Sequence, residues 1–441
     1  MYTVHTDKDR LEMIKASGFG SLEELLAQIP RELRSAKFNL SPALTEPQLA
    51  AHMSALAGKN ARLANFAGGG AYEHYIPAAV RALAGRAEFV TAYTPYQAEA
   101  SQGTLQSIYE YQSAVCALFE MDASNASLYD GATALAEAVK AAMRITGRKK
   151  AALPRSLNPH YLKTLKTYFA PQPETVFAEI PCSDDGTMDP AGLAEAADGA
   201  ACVVACNPNY YGCLEDMDAA RAAASSAGAL LVAVVNPLSL GVLRAPGSCG
   251  ADIAVAEGQP LGNPLSYGGP YLGMFACKKE HVRHIPGRIC GITKDADGKR
   301  AFTLTLAARE QHIRRERAAS NICSNEALCA LNAAIYCALL GPEGLREVAE
   351  LNLENAHRAA EMISGIKGFR LKFAAPFFNE FAVECPRPAA QLRDELLKEG
   401  ILAGIPLQKP YENCLLVCVT EMRTRQETAA LVSALKKYAN N

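Results

Sequence analysis

The chain has 441 residues, 49% of them apolar, with 44 lysines and arginines, 46 aspartates and glutamates and a formal net charge of −2. That length and apolar content suffice for two or three packed units. The even mixing of charge excludes a basic stripe for nucleic acid and a polybasic segment for anionic lipid, which leaves small-molecule chemistry as the default class.

The first 60 residues are expected to form a helical, polar arm. Ser21-Leu-Glu-Glu24 has the pattern of a capping box, and Leu22, Leu25, Leu26 and Ile29 make a short apolar stripe that stops at Pro30. A second helix is expected near Thr45, with Pro47 in its first turn and Leu49, Met53 and Leu56 on one face.

From 61 to 330, apolar strands alternate with alanine-rich helices, the pattern of an α/β domain with a mostly parallel, doubly wound sheet. Helices are predicted at Leu105 to Phe119, Ala134 to Ile145 and Met217 to Ala227. Strands are predicted at Ala201 to Cys206, Leu230 to Val235 and Ala251 to Ala256. Ligands in such folds sit beyond the carboxyl ends of the strands. From 331 to 441 a smaller α+β domain is expected: helices broken at Gly341 to Gly344, strands near Phe378 to Glu384, Ile401 to Pro406 and Leu415 to Thr420, and a helix at Ala390 to Lys398. A last helix opens on Thr424-Arg-Gln-Glu427.

Fourteen cysteines lie scattered in apolar stretches without paired zinc spacing, so reduced thiols in a cytoplasmic protein are expected. Met1 to Arg10 lacks an apolar export core, and the apolar stretch 228 to 243 is interrupted by Asn236 and Pro237. His281 and His284 are spaced i, i+3 but have no completing ligand set, so no metal is expected.

Several segments have the composition of a site. Asp130-Gly131-Ala132-Thr133 precedes a helix and is either an ordinary aspartate cap or a phosphate cradle of exposed N–H groups, with Gly131 and Thr133 as its donors. Gly68-Gly69-Gly70 lies beside Tyr72, His74 and Tyr75, which suggests close approach of backbone to a ligand or another chain. In Tyr93-Thr94-Pro95-Tyr96-Gln97-Ala98-Glu99-Ala100-Ser101-Gln102, a tyrosine can stack on a planar group and donate from its hydroxyl, and Glu99 can relay a proton. Arg309, His312, Arg314, Arg315 and Arg317 form a basic run that is either a solvated face paired with Glu310 and Glu316 or a contact for a carboxylate or partner.

Taken in order, Phe66 to Pro77, Tyr93 to Gly103, Asn125 to Thr133, Glu257 to Gly262, Gly268 to Gly273, Arg309 to Arg315 and Ser320 to Cys323 resemble the glycine dehydrogenase (decarboxylating) family, the P-protein of the glycine cleavage system. Within it the chain is similar to subunit 1 of the two-chain form. The resemblance implies a pyridoxal phosphate (PLP)-dependent transferase-like fold of the aspartate aminotransferase type, fold type I. In such a fold Asn236 stands where a carboxylate holds the pyridine nitrogen protonated, and Gln259 where the Schiff-base lysine is expected. It therefore implies that PLP is held covalently by a homologous partner, glycine dehydrogenase subunit 2, and not by this chain. The reaction implied is decarboxylation of glycine with transfer of the aminomethyl group to the lipoyl arm of the H-protein, in an α2β2 heterotetramer. Tyr93, Tyr96 and Glu99 are then expected as catalytic contributions to the partner's site, Thr94, Gln102, Gly131 and Thr133 as cofactor contacts, and Tyr72, His74 and Tyr75 at an interface or entrance. Two other readings stand beside it: an independent PLP enzyme using Lys278 or Lys279, and a catalytically dead scaffold.

Overall fold

The computed structural model describes residues 4–34, 39–90 and 94–439. Backbone contacts divide the chain into Met1–Ala61 and Arg62–Asn441.

In the first unit, helices Asp7–Ala16 and Glu46–Ala57 each start on a full capping box, from Thr6 with Asp9 and from Thr45 with Gln48. The expected box at Ser21 is only half formed. Ser21 accepts from Glu24 N–H, while the Glu24 carboxylate reaches past it to Gly20 N–H, and the helix is one turn, Leu22–Leu25. No described residue of this unit is buried, and Leu22, Ile29, Leu49, Met53 and Leu56 are exposed.

The second unit is built on a seven-stranded sheet. In chain order its strands are β1 (Ala123–Ser124), β2 (Lys150–Pro154), β3 (Val176–Ile180), β4 (Cys202–Asn207), β5 (Leu230–Val235), β6 (Ile253–Glu257) and β7 (Gly273–Cys277). Their spatial order is β1-β7-β6-β5-β4-β2-β3. Strands β3, β2, β4, β5 and β6 run parallel, and β7 returns antiparallel between β6 and β1. The central strands are continuous apolar runs because helices cover both faces. One face packs on Val115, Phe119, Leu238 and Tyr336, the other on Leu135, Val139 and Leu165. The helix predicted at Ala134 starts earlier, at Gly131, because Asp130 accepts from Thr133 N–H as its cap.

A hairpin, Ile289–Lys294 with Arg300–Thr305, packs on helix Gln102–Phe119 and was not evident from the sequence. Residues 327–364 form two helices across a break at Gly341, whose φ of 62° and ψ of −175° lie outside the helical region. Beyond them a four-stranded antiparallel sheet, with Glu380–Glu384 and Cys414–Cys418 at its centre, is covered by helices Ala389–Lys398 and Arg425–Lys436. The strand expected over Ile401 to Pro406 is two short pieces flanking Gly404. Strand Ala64–Asn65 pairs with Ile401–Leu402, which carries the glycine loop 68–70 to the cleft.

Candidate functional site

At the carboxyl ends of β4, β5 and β6 opens a narrow cleft of ≈ 70 Å³, where open α/β sheets place their ligands. Its walls include Asn158, Tyr161, Cys206, Asn236, Glu257 and Glu380.

The floor of the cleft is held by its own carboxylate. Glu257, at the end of β6, accepts from Gly131 N–H at 2.9 Å through Oε2, and from Gln259 N–H at 2.9 Å and Leu272 N–H at 3.0 Å through Oε1. Gly131 opens helix Gly131–Thr146, so this carboxylate sits on the positive end of a helix, where a phosphate would bind. The approach requires glycine: a Cβ at 131 would lie 2.1 Å from the Tyr161 hydroxyl and 2.8 Å from Glu257 N. Burial pushes the Glu257 carboxyl up to about 8, against the lowering pull of the N–H donors at Gly131, Leu272 and Gln259. Two further donors of the turn are used locally: Thr133 N–H goes to Asp130 Oδ1 at 2.7 Å, and Thr133 Oγ1 donates to Asp130 O at 3.0 Å.

Gln259 is buried against the glycine-loop segment. Its Oε1 accepts from Tyr72 N–H at 2.8 Å, and its Nε2 donates to Tyr72 O at 2.9 Å and Asn263 O at 2.8 Å. Tyr72 in turn donates to Glu380 Oε2 at 2.7 Å, and Gly69 N–H donates to Glu380 Oε1 at 2.6 Å. Burial pushes Glu380 up to about 7. Asn236 Oδ1 accepts from Leu238 N–H, while its buried Nδ2 has no partner. A neutral amide there, an amide at 259 and a carboxylate on the helix end form a donor set that does not fit a covalently held PLP.

Lys278 offers no substitute lysine. It follows β7, which runs antiparallel to β6 so that Cys277 lies opposite Ile253, at the other end of the strands from Glu257. Its Nζ is 2.5 Å from Asp252 Oδ1, and Asp252 also takes Arg221 at 2.7 Å. Asp252, Glu280 and His281 bring three ligand-type atoms within 4.8 Å, but these ion pairs occupy Asp252.

The other expected residues fall in two places. His74 is buried with Nδ1 2.8 Å from Glu421 Oε2, and Tyr75 N–H donates to Glu421 Oε1 at 2.7 Å. Of the three residues expected at an interface or entrance, Tyr75 alone is exposed; Tyr72 and His74 are turned inward because Glu380 and Glu421 need their polar atoms.

Tyr93 lies outside the described residues. Thr94 is half-buried, Tyr96 is 56% exposed, and Glu99 is exposed on the turn Ala98–Ala100. Gln102 spends its amide within the chain, donating to Ala98 O and Phe302 O at 2.8 Å each and accepting from Phe302 N–H at 2.9 Å, which ties the loop to the hairpin.

Sequence reasoning missed Arg288. This residue stacks its guanidinium 5.1 Å from the Tyr96 ring centroid and donates to the Tyr96 hydroxyl at 3.1 Å. The basic run is not one solvated helix: Arg309 is turned inward, donating to Ile285 O and Gly287 O, and a single-turn helix, Gln311–Arg314, follows it.

The family model described as glycine cleavage system P-protein matches residues 1–435. The chain is 51% identical to the probable glycine dehydrogenase (decarboxylating) subunit 1 of Chlorobium chlorochromatii, over 98% of each chain. Among solved structures, glycine decarboxylase (P-protein) of the glycine cleavage system in inhibitor-bound form aligns with a TM-score of 0.93 and 43% identity, covering 99% of this chain and 100% of that one. Sphingosine-1-phosphate lyase of Burkholderia pseudomallei aligns with a TM-score of 0.68 and 15% identity, over 92% and 93% of the two chains, a likeness of fold alone. The α/β architecture is that of fold type I PLP enzymes, as expected from the sequence.

Proposed function

Because the chain belongs to the glycine cleavage system P-protein family, and is a subunit of that enzyme, we propose that it is the half that carries no cofactor of its own. In this reading a homologous subunit 2 holds PLP covalently and supplies the electron sink for glycine decarboxylation. The aminomethyl group then passes to the lipoyl arm of the H-protein, and the two subunits assemble as an α2β2 heterotetramer in the cytoplasm.

The observation that carries the reading is Glu257. Its carboxylate takes the Gly131 N–H at the helix end together with the N–H groups of Gln259 and Leu272, and Gln259 is bonded to Tyr72, which supports a cleft that holds no covalent cofactor of its own. The half-exposed Tyr96 and exposed Glu99, with Thr94 beside them, are then offered outward to the partner's site, and Gln102 contributes by holding their loop. Tyr75 remains a candidate for the interface. All fourteen thiols are free, which agrees with a reducing compartment.

The test is reconstitution. The chain alone is expected to show no PLP absorbance and no label after borohydride reduction. Exchange of CO₂ with the glycine carboxyl is expected only with subunit 2 and lipoylated H-protein present. Exchange by the isolated chain would overturn the proposal.

A further inference from the structure

Arg288 is a buried cation with no carboxylate paired to it among the described residues. Only 4% exposed, it donates from Nη1 to Asn325 Oδ1 at 3.2 Å and Ser324 Oγ at 3.4 Å, and from Nη2 to Cys323 O at 2.7 Å and Tyr96 Oη at 3.1 Å. Its buried Nε has no partner. Every one of these acceptors is neutral. By contrast, the buried Arg423 is paired with Glu73 at 3.0 Å and Glu427 at 3.4 Å. Taking a guanidinium out of water without an opposing charge is strongly unfavourable, and an anion delivered from outside the chain would offset that cost.

Tyr96 is the route by which the charge reaches the surface. Its ring covers the guanidinium while the residue stays half-exposed, with the His312 ring 6.0 Å away on the same exposed patch. Since Arg288 donates to the Tyr96 oxygen, one lone pair is used and the phenolic O–H is left to donate away from the arginine. Hydrogen bonds in such a chain polarise one another, so a hydroxyl backed by a cation is a stronger donor than an isolated one.

We propose that Tyr96 and Arg288 form an anion-receiving pair: the Tyr96 hydroxyl donates to an anionic oxygen presented by the partner's site, and Arg288 is the positioning residue that aims and polarises it. The inference rests on the partner-dependent reading given above. The chemistry recognised is a carboxylate or phosphate oxygen, which the enzyme contains in the substrate glycine and in the cofactor.

The experiment uses the reconstituted complex with Tyr96→Phe, Arg288→Lys, Arg288→Met and the double variant Tyr96→Phe with Arg288→Met. Steady-state kinetics give KM for glycine and kcat separately, and absorbance titration of the cofactor-free complex gives PLP affinity independently of turnover. If the anion is the glycine carboxylate, Tyr96→Phe raises KM on the order of 10-fold and leaves PLP affinity unchanged. If it is the cofactor phosphate, PLP affinity falls by that factor instead.

In either case Arg288→Met reproduces the loss, Arg288→Lys restores part of it, and the double variant is no worse than Arg288→Met alone, because both changes remove one interaction. Tyr96→Phe deletes one exposed oxygen and so keeps the test readable if Arg288→Met folds poorly. KM and PLP affinity within twofold of the unmodified complex in Tyr96→Phe would overturn the inference, as would additive losses in the double variant. An unmodified complex unable to decarboxylate glycine would instead overturn the partner-dependent reading.

Discussion

Gln259 holds the backbone of Tyr72 at both ends, accepting from its N–H at 2.8 Å and donating to its carbonyl at 2.9 Å. An amide does both, whereas lysine has donors and no acceptor. Placing a lysine there by Gln259→Lys is therefore expected to cost about 1–3 kcal/mol for the stranded Tyr72 N–H. It is also expected to capture no cofactor, because Glu257 still occupies the helix end. Urea denaturation reads the first effect and borohydride trapping with peptide mapping the second. A pyridoxyl label on residue 259 would show that the cleft is more open than its hydrogen bonds imply.

Removing that carboxylate is expected to uncover an anion site. In Glu257→Ala, the N–H groups of Gly131, Gln259 and Leu272 lose their acceptor, and the variant loses roughly 1–3 kcal/mol or more. Three N–H groups that converge on one point, one of them at a helix N-terminus, can bind an anion, so inorganic phosphate is expected to raise the Tm of the variant and leave the unmodified chain unmoved. Thermal scans with and without phosphate decide; equal response of the two proteins would count against the substitution of carboxylate for phosphate.

How far these groups were visible in the sequence depended on their separation along it. The capped helices and the apolar strands β4, β5 and β6 announce themselves within a few residues, as Asp130 and its helix do. Gln259 stood out because a lysine was missing, yet Glu257, two positions before it, passed as part of the same motif. Its role depends on Gly131, which is 126 residues away. Glu380 meets Tyr72 across 308 positions and Arg288 meets Tyr96 across 192, so neither left a local pattern. The hairpin 289–305 does carry a local cue in Asp297-Gly298 between its strands, but its second strand alternates around Phe302 only weakly.

Glu380 predicts a pH dependence. Its folded value, raised to about 7 by burial, exceeds the ordinary carboxylate range. Between about 4.5 and 7 the folded chain binds the extra proton, so the stability linked to this group is present in acid and is lost as pH rises through that window. The Tyr72 hydroxyl favours the ionised form, and Tyr72→Phe removes it. The deficit of the variant is therefore expected to be small near pH 5 and to grow to about 1–3 kcal/mol at pH 8. Glu257 titrates in both proteins and cancels in the difference. Denaturation midpoints at four pH values test this, and a deficit that shrinks with rising pH would contradict it.

Glu99 separates a contributing subunit from a scaffold. It is exposed on its turn, so Glu99→Gln is expected to change the stability of the isolated chain by no more than about 0.5 kcal/mol. If its carboxylate works in the partner's site, turnover of the complex falls on the order of 10²-fold or more, with assembly intact. Unchanged turnover in Glu99→Gln and in Tyr96→Phe together, with normal co-purification of both subunits, would favour the scaffold reading.

The N-terminal helices supply the remaining expectation. Helix Glu46–Ala57 is twelve residues long with a full capping box, yet Leu49, Met53 and Leu56 are all exposed along one face. Helices of that length are marginal in water unless an apolar face is buried, so this face is expected to be covered in the assembled enzyme. Glutamine keeps helix propensity while removing apolar character. The pair Leu49→Gln and Met53→Gln should therefore leave the unfolding of the isolated chain within about 0.5 kcal/mol of the unmodified one. Burial of two such side chains contributes about 1.5–3 kcal/mol each, so association with subunit 2 is expected to weaken by at least 10-fold. Sedimentation of mixtures at graded concentration measures it, and an unchanged association constant would mean that the stripe faces water in the complex as well.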